Sequence, residues 1–228
     1  MKVIELKDLN KSYGKEPNVV KAIDNINLEI EKGFTAIVGP SGCGKTTLMQ
    51  LIGGLRQPDS GKVLIEGTDI SFFRKDDKAL FRRRNIGFVF REYNLLTELN
   101  VYENIIFTLE LDGRDVDREY IYQIAYLLKL DDKMDMLPVA LSNGERQKVA
   151  IARALATKPK VILADEPTGS LDSKASLEVA GLLKMTCREF NQTAILITHD
   201  MEIADNAERV IYLRDGKVQK ISERRKQI

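Results

Sequence analysis

The most constraining feature of the sequence is a glycine-rich segment, GPSGCGKTT, at residues 39–47. It follows the uninterrupted apolar run FTAIV and precedes the helical pattern TTLMQLIGGL. An apolar run without alternation is typical of a strand buried on both faces of a sheet. A strand, a glycine-rich loop and a helix in this order form a cradle whose backbone N–H groups surround phosphate. The segment therefore predicts an α/β fold that binds a nucleotide at this loop.

Each position of this loop has an expected task. The ammonium of Lys45 would reach the β- and γ-phosphates, and the hydroxyl of Thr46 would bind Mg²⁺. The alternative is a glycine-rich turn that only connects strand to helix, which the flanking pattern disfavours. For Cys43 we expect alkylation that bound nucleotide prevents. The predicted nucleotide-binding set here is Gly39, Pro40, Ser41, Gly42, Cys43, Gly44, Lys45, Thr46 and Thr47.

Acidic residues follow a second apolar strand, in VILADEP. Asp165 is expected to hold Mg²⁺ and Glu166 to polarise the attacking water. A third apolar strand, TAILIT, ends at His199, which is the only histidine of the protein and is expected to contact the γ-phosphate. The competing readings are two solvated acids that begin a loop, and a histidine with a structural role.

Composition limits the classes of function. The 228 residues are 43% hydrophobic, which suits one globular domain, and 35 basic residues against 34 acidic ones leave a net charge of +1. This charge gives no field that would hold nucleic acid by phosphate neutralisation alone, so no nucleic-acid partner is expected. The runs at 82–84 and in the tail SERRKQI are expected to be solvated. Two cysteines point to a reducing compartment.

The chain divides into two kinds of pattern. Residues 1–91 and 158–228 contain the apolar strands, whereas about 92–157 contain three helical patterns, with a break at Asp112-Gly113. We expect a sheet core interrupted by a mostly helical subdomain, all within one domain. No uncharged apolar run approaches the roughly 18 residues that span a bilayer. A membrane role would therefore require another chain to supply the spanning part.

The segment LSNGERQKVAIARAL at 141–155 carries the most specific resemblance. Ser142 and Glu145 alone have the spacing of a helix-capping box, which is the competing explanation. Taken together with ADEPTGSLD, the segment makes essentially the whole chain resemble the ATP-binding subunit of an ABC transporter. The resemblance implies a P-loop NTPase core, with a mixed sheet, flanking helices and an N-terminal antiparallel β subdomain, plus a helical subdomain.

The resemblance also implies roles for further residues. Tyr13 stands where the family has an aromatic ring that stacks on adenine, and His199 stands at its switch histidine. The family's signature motif, which contacts the γ-phosphate held by the opposite subunit, falls on Ser142, Asn143, Gly144 and Glu145. The loop that crosses the dimer interface falls on Gly169, Ser170, Leu171 and Asp172. Such subunits pair head to tail and enclose two ATP molecules with Mg²⁺.

Within the family, the chain looks most like the branch for lipoprotein release, macrolide export and antimicrobial-peptide resistance. This implies separate membrane permease subunits, pairing with itself or with a second ATPase subunit, and a peripheral position on the cytoplasmic face of the membrane. Two alternatives remain. One is a nucleotide-operated clamp that signals through a membrane partner, as in cell-division relatives, and the other is a soluble ATPase of DNA repair or translation.

Two positions depart from the family pattern. Arg91 replaces the glutamine of the Q-loop, and a guanidinium has donors but no acceptor for a metal ion. It could turn outward or contact the γ-phosphate, with Glu92 as a substitute oxygen ligand, and turnover is expected to be slow. Asn143 replaces the first signature glycine, and its tolerance of left-handed backbone was expected to preserve the turn.

Overall fold

The computed structural model describes residues 1–223, so residues 224–228, which include most of the basic tail, lie outside the described part. The strands are β1 Lys2–Tyr13, β2 Val20–Glu31, β3 Phe34–Val38, β4 Ser60–Ile65, β5 Thr68–Asp69, β6 Ile86–Phe90, β7 Val161–Asp165, β8 Thr193–Thr198, β9 Arg209–Arg214 and β10 Lys217–Glu223. The helices are α1 Lys45–Ile52, α2 Lys75–Asn85, α3 Val101–Leu111, α4 Arg118–Leu127, α5 Asn143–Ala156, α6 Ser173–Glu189 and α7 Met201–Ala204. Short 3₁₀ turns lie at Asp131–Lys133 and Pro138–Ala140.

A six-stranded sheet forms the centre, in the order β10-β9-β3-β8-β7-β6. All pairs from β9 to β6 are parallel, and only β10 runs antiparallel to β9. The strands β3 and β8 are buried along their whole length, as their apolar sequences require. Since β3, β8 and β7 are neighbours, the residues that follow each of them emerge at one edge of the sheet.

A second, antiparallel sheet has the order β2-β1-β4-β5. Its inner face shares an apolar core with α1 and with one face of the central sheet. The antiparallel β subdomain expected at the N-terminus is therefore present. The end of β1 brings Tyr13 to the rim of this sheet.

The opposite face of the central sheet packs against a second apolar core, to which α3, α4, α5 and α6 contribute. Two of these helices begin with capping boxes, Asn100 with Glu103 and Ser142 with Glu145. The helix α3 ends at Asp112 and Gly113, where the sequence predicted a break, and Gly113 has a φ of 63°. Among residues 1–223, no helix has the length and apolarity needed to cross a bilayer.

The helix α2 was not predicted, because its sequence KDDKALFRRRN is strongly polar. In its basic run, Arg83 and Arg84 are exposed, as expected, whereas Arg82 is partly buried. Arg82 donates to the Gly54 carbonyl at 3.0 Å. Arg83 and Arg84 both bind the carboxylate of Asp112, which is nearly buried and needs charged partners. Hydrogen bonds from these two arginines hold the pKa of Asp112 below its usual range.

Candidate functional site

The loop after β3 has a backbone that only glycine allows. Gly42 and Gly44 have φ angles of 77° and 105°. A Cβ atom at Gly44 would lie 2.2 Å from the Ala22 carbonyl oxygen, and one at Gly39 would lie 2.1 Å from that of Leu213. The helix α1 begins directly after Gly44, and no side chain caps its first N–H groups by accepting a hydrogen bond from them. These donors remain available for a phosphate group.

Lys45 is buried, and its side chain folds back over the loop. Its Nζ atom donates to the carbonyl oxygens of Gly39 at 2.7 Å and Pro40 at 2.9 Å. The ammonium is thereby held within the glycine-rich turn. A phosphate bound in the turn would offer it an anionic acceptor in place of neutral carbonyls.

Thr46 and Asp165 form the oxygen pair expected to hold a metal ion. The Thr46 hydroxyl lies 3.5 Å from Oδ1 of Asp165. Burial raises the pKa of Asp165, an effect that the hydrogen bond from Thr46 and the charge of Lys45 oppose in part. One hydroxyl and one carboxylate suit Mg²⁺, which prefers oxygen ligands and completes its shell with phosphate and water. The residues present therefore fit a magnesium ion.

Glu166 and His199 form a second pair at the same edge of the sheet. The imidazole Nδ1 lies 2.9 and 2.8 Å from the two carboxylate oxygens of Glu166. Because an ionised carboxylate only accepts hydrogen bonds, Nδ1–H is the donor of this pair. Glu166 has a φ of 46°, a conformation that residues other than glycine seldom adopt outside functional sites. Its own N–H donates to the Ile197 carbonyl at 2.9 Å, which anchors this backbone to β8.

The predicted signature residues lie at the start of α5. The Ser142 hydroxyl accepts from the Glu145 N–H, while the Glu145 carboxylate accepts from the Ser142 N–H at 2.8 Å and hydroxyl at 2.7 Å. These bonds hold the pKa of Glu145 below its usual range. Asn143 begins the helix and is absent from the left-handed residues of the described chain. Asn143 therefore adopts the helical conformation and does not need its tolerance of left-handed backbone.

The loop after β7 shares a cleft of about 450 Å³ with the signature residues. Asp172 ends this loop and caps α6 by accepting from the Ala175 N–H at 2.8 Å. Within residues 1–223, the signature residues form no hydrogen bond or ion pair with the phosphate loop of their own chain. The cleft is lined by Ser142, Asn143, Gly144, Glu145, Ser170, Leu171 and Asp172, among others.

Tyr13 lies near the end of α1, beside two cationic groups. The Arg56 guanidinium is 5.3 Å from the ring centroid, and the Lys11 ammonium is 5.8 Å from it. Arg56 is held by a 2.6 Å bond from Nε to Oε1 of Gln50 on α1. Arg56 thus links the ring to the helix that follows the phosphate loop.

Arg91 is exposed, and its side chain lies against the loop that follows β7. Its Nη2 atom donates to the carbonyl oxygen of Gly169 at 2.9 Å. The guanidinium packs so closely that a Cβ atom on Gly169 would lie 3.0 Å from Nε. Glu92 lines a cleft together with Arg146 and with Val139 of the helical turn Pro138–Ala140.

Sequence reasoning missed three residues that hold the chain after β6. Gln147 on α5 donates to the Phe90 carbonyl at 3.3 Å. Arg153, also on α5, donates to the carbonyls of Tyr93 at 2.8 Å and Asn94 at 2.6 Å. Asn104 on α3 is completely buried and binds both the N–H and the carbonyl of Leu96. Their sequence signal is a polar residue on the apolar face of an otherwise amphipathic helix.

Cys43 does not fit the expectation of an alkylation site. The residue is 4% exposed and belongs to the core beneath the phosphate loop. Its Sγ atom lies 3.9 Å from the Lys45 ammonium. A thiol buried in this way is closed to reagents as long as the loop stays folded.

The parallel strands β3, β7 and β8 thus bring a glycine-rich loop, the oxygen pair Thr46–Asp165 and the carboxylate–imidazole pair Glu166–His199 to one edge of a sheet. This fold and site define a P-loop nucleotide-binding protein. The comparisons with known proteins make the assignment narrower, because residues 23–169 match the family model described as ABC transporter.

Curated relatives and a solved structure agree with that match. A lipoprotein-releasing system ATP-binding protein of Porphyromonas gingivalis is 38% identical and covers 94% of this chain and 97% of its own. A sulfate/thiosulfate import ATP-binding protein of Pseudomonas aeruginosa is also 38% identical, over 96% of this chain and 66% of the relative. The dimeric, post-hydrolysis structure of an ATP-binding cassette with ADP and Pi is 37% identical, with a TM-score of 0.86, and covers 97% of this chain and 99% of its own. The chain belongs to the ABC transporter family, as its motifs predicted.

Proposed function

We propose that this protein binds and hydrolyses ATP with Mg²⁺ and thereby drives a separate membrane protein. The observation that carries the proposal is the convergence of Lys45, the pair Thr46–Asp165 and the pair Glu166–His199 at the ends of three neighbouring strands. The similarity to a cassette structure with ADP and Pi supports hydrolysis in addition to binding.

The chain's residues divide the work of phosphoryl transfer to water. Lys45 and the N–H groups of the loop would hold the phosphates, and Thr46 and Asp165 would hold a Mg²⁺ ion, which would neutralise charge on the phosphate oxygens. Glu166 accepts a proton from the attacking water. His199 keeps the Glu166 carboxylate in place through Nδ1–H. A γ-phosphate contact through Nε2 would require that nitrogen to carry a proton as well, because phosphate oxygens only accept. Tyr13 supplies a ring for the adenine.

Two copies are proposed to complete each ATP site. The signature residues lie in a cleft of their own and contribute nothing to the phosphate loop of the same chain. In a head-to-tail pair, Ser142, Asn143 and Gly144 of one copy would meet the γ-phosphate held by the other. We also propose that residues 92–157 form a helical subdomain, inserted between the two core segments 1–91 and 158–228.

The partner is proposed to be a transmembrane permease, with this chain on the cytoplasmic face of the membrane. The names of the relatives support a transport role. The lipoprotein-releasing relative and the sequence resemblance favour export. The sulfate/thiosulfate import protein has the same sequence identity to this chain, 38%. Rates of ATP hydrolysis with and without transported substrate, in the presence of the permease, would separate transport from a signalling clamp.

Arg91 is proposed to slow hydrolysis. A guanidinium offers no oxygen to Mg²⁺ or to the attacking water, and this one donates to Gly169. Arg91 therefore supplies no side-chain oxygen for a metal ion at the position where a glutamine would supply one. When all copies are paired, the wild type should therefore hydrolyse ATP more slowly than the Arg91→Gln variant.

A mixing experiment tests the two-copy site. Lys45→Ala removes the phosphate contact, and Gly144→Asp places a carboxylate where the γ-phosphate of the partner would lie. The Gly144→Asp side chain has room, because the nearest atom to a Cβ there is 4.0 Å away. Each variant alone should hydrolyse little ATP, whereas their mixture contains one intact composite site and should recover measurable turnover. A mixture as inactive as its components would contradict the head-to-tail pair.

A further inference from the structure

The contact between Arg91 and Gly169 joins two segments 78 residues apart in sequence. Phe90 is paired with Asp165 across β6 and β7, so Arg91 emerges beside the start of the loop that follows β7. Its side chain runs along that loop and ends on the Gly169 carbonyl. The guanidinium also lies flat against the glycine, since a Cβ atom there would sit 3.0–3.3 Å from Nε, Cδ and Cζ.

Gly169 is the last residue of the turn with which this loop begins. Its N–H donates to the Glu166 carbonyl at 3.0 Å, which closes a turn directly after the proposed base. The next three residues, Ser170, Leu171 and Asp172, leave the turn and form one wall of the signature cleft. A bond to the Gly169 carbonyl therefore fixes the direction in which this wall begins.

Side chains of α5 hold the backbone on both sides of Arg91. Gln147 binds the carbonyl of the preceding residue, Phe90, and Arg153 binds the carbonyls of Tyr93 and Asn94. Both side chains come from α5, whose first residues form the opposite wall of the signature cleft. The tether therefore connects the two walls of the cleft, from α5 through the chain at 90–94 and Arg91 to Gly169.

We infer that Arg91 is a positioning residue that sets how tightly two copies of this chain pair on ATP. It holds the loop 169–172 in the shape that receives the partner, and a loop ordered beforehand loses less conformational entropy on binding. The contact lies outside the phosphate loop, so ATP binding by a single copy does not depend on it. This inference rests on the proposed two-copy ATPase.

Two independent substitutions remove the tether. Arg91→Met keeps an unbranched side chain but has no N–H donor. Gly169→Ala leaves Arg91 intact and pushes its guanidinium away, and Gly169 has an ordinary φ that alanine can adopt. Arg118→Gln removes an exposed cation on α4, away from the cleft, and serves as the matched control.

The variants are compared in a Glu166→Gln parent, in which ATP persists because the base is missing. Sedimentation gives the dissociation constant of the ATP-bound pair, and a nucleotide titration of dilute protein gives ATP affinity. We expect Arg91→Met and Gly169→Ala each to weaken pairing roughly tenfold, the scale of one charge-assisted hydrogen bond. The double variant should be no weaker than either single one, Arg91→Lys should recover part of the loss, and ATP affinity should stay within about twofold.

Pairing unchanged in Arg91→Met, or losses that add in the double variant, would overturn the inference. So would equal losses in Arg118→Gln, or a matching fall in ATP affinity of the dilute protein. If the parent binds no ATP, or binds it and stays monomeric, the proposed function itself fails. These outcomes are distinguishable, because the first set requires a parent that binds ATP and pairs.

Discussion

The Nδ1 atom of His199 lies 2.8 Å from a carboxylate oxygen of Glu166, across the ends of β8 and β7. The two residues are 33 positions apart in sequence, and the parallel pairing of the strands brings them together. Because Nδ1–H donates to the carboxylate, the histidine fixes the orientation of the proposed base. Hydrolysis should therefore depend on both residues of the pair.

Replacing the histidine tests this dependence. We expect His199→Ala to lower kcat on the order of 10²-fold, because Glu166 loses the partner that orients it. The concentration of ATP at half-maximal rate should change little, since Lys45 and the phosphate loop are intact. Steady-state kinetics would measure both quantities. A variant with normal kcat would show that the pair has no role in hydrolysis.

Replacing Arg91, which stands at the Q-loop position, with glutamine should raise the rate of ATP hydrolysis. At protein concentrations that saturate pairing, Arg91→Gln should hydrolyse ATP several-fold faster than the wild type, because an amide oxygen becomes available to the metal and water. Arg91→Met offers no such oxygen and should show no gain. Turnover as a function of protein concentration separates this effect from weaker pairing. Equal maximal rates in all three proteins would refute the proposed brake.

Both cysteines should be inert in the folded protein. Cys43 and Cys187 are buried, and burial raises the pKa of the Cys187 thiol to about 12. Near pH 8 the thiolate of Cys187 is then only roughly 10⁻⁴ of the total. A thiol reagent should react with neither residue quickly in the native state, and with both in denaturant. A thiol that reacts quickly in native protein, and that ATP protects, would restore the alkylation expected for Cys43.

The capping box of α5 predicts a specific dependence on pH. The folded-state pKa of Glu145 is lowered, first by the bond from the Ser142 N–H, so its stabilisation is complete above the unfolded pKa of about 4.5. That stabilisation is lost as the pH falls through the lower folded value. Glu145→Ala should therefore reduce the free energy of unfolding by about 1 kcal/mol at pH 7.

Urea unfolding at several pH values checks this prediction, with Glu189→Ala at the exposed end of α6 as the control. The difference between wild type and Glu145→Ala should narrow as the pH drops below about 4.5, the usual value for Glu. A difference that stays constant over that range would mean that the carboxylate charge does not contribute to the cap.

The sequence predicts the site well where chemistry follows directly from a buried strand. Lys45, Asp165, Glu166 and His199 each come within a few residues of a continuous apolar run, and parallel strands end at one edge of their sheet. The strand order, and hence the pairing of Glu166 with His199, depends on contacts between segments far apart in sequence. It came from the structure.

Other features had no readable local signal. Seven of the 11 residues of α2 are charged, and its one buried residue, Lys78, donates to the Ser71 carbonyl at 3.1 Å. The partner of Arg91 is a backbone carbonyl, which no side-chain pattern reveals. Cys43 stands in a loop motif that suggests exposure, yet its side chain turns into the core.

The central claim is tested most directly by Mg²⁺-dependent ATP turnover of the purified protein beside Glu166→Gln and Glu189→Gln. Both changes replace one carboxylate with an amide, but only Glu166 faces His199 at the edge of the sheet. We predict turnover in the wild type and in Glu189→Gln, and its loss in Glu166→Gln while ATP still binds. Turnover that survives Glu166→Gln unchanged would contradict the assignment of the base and of the site built around it.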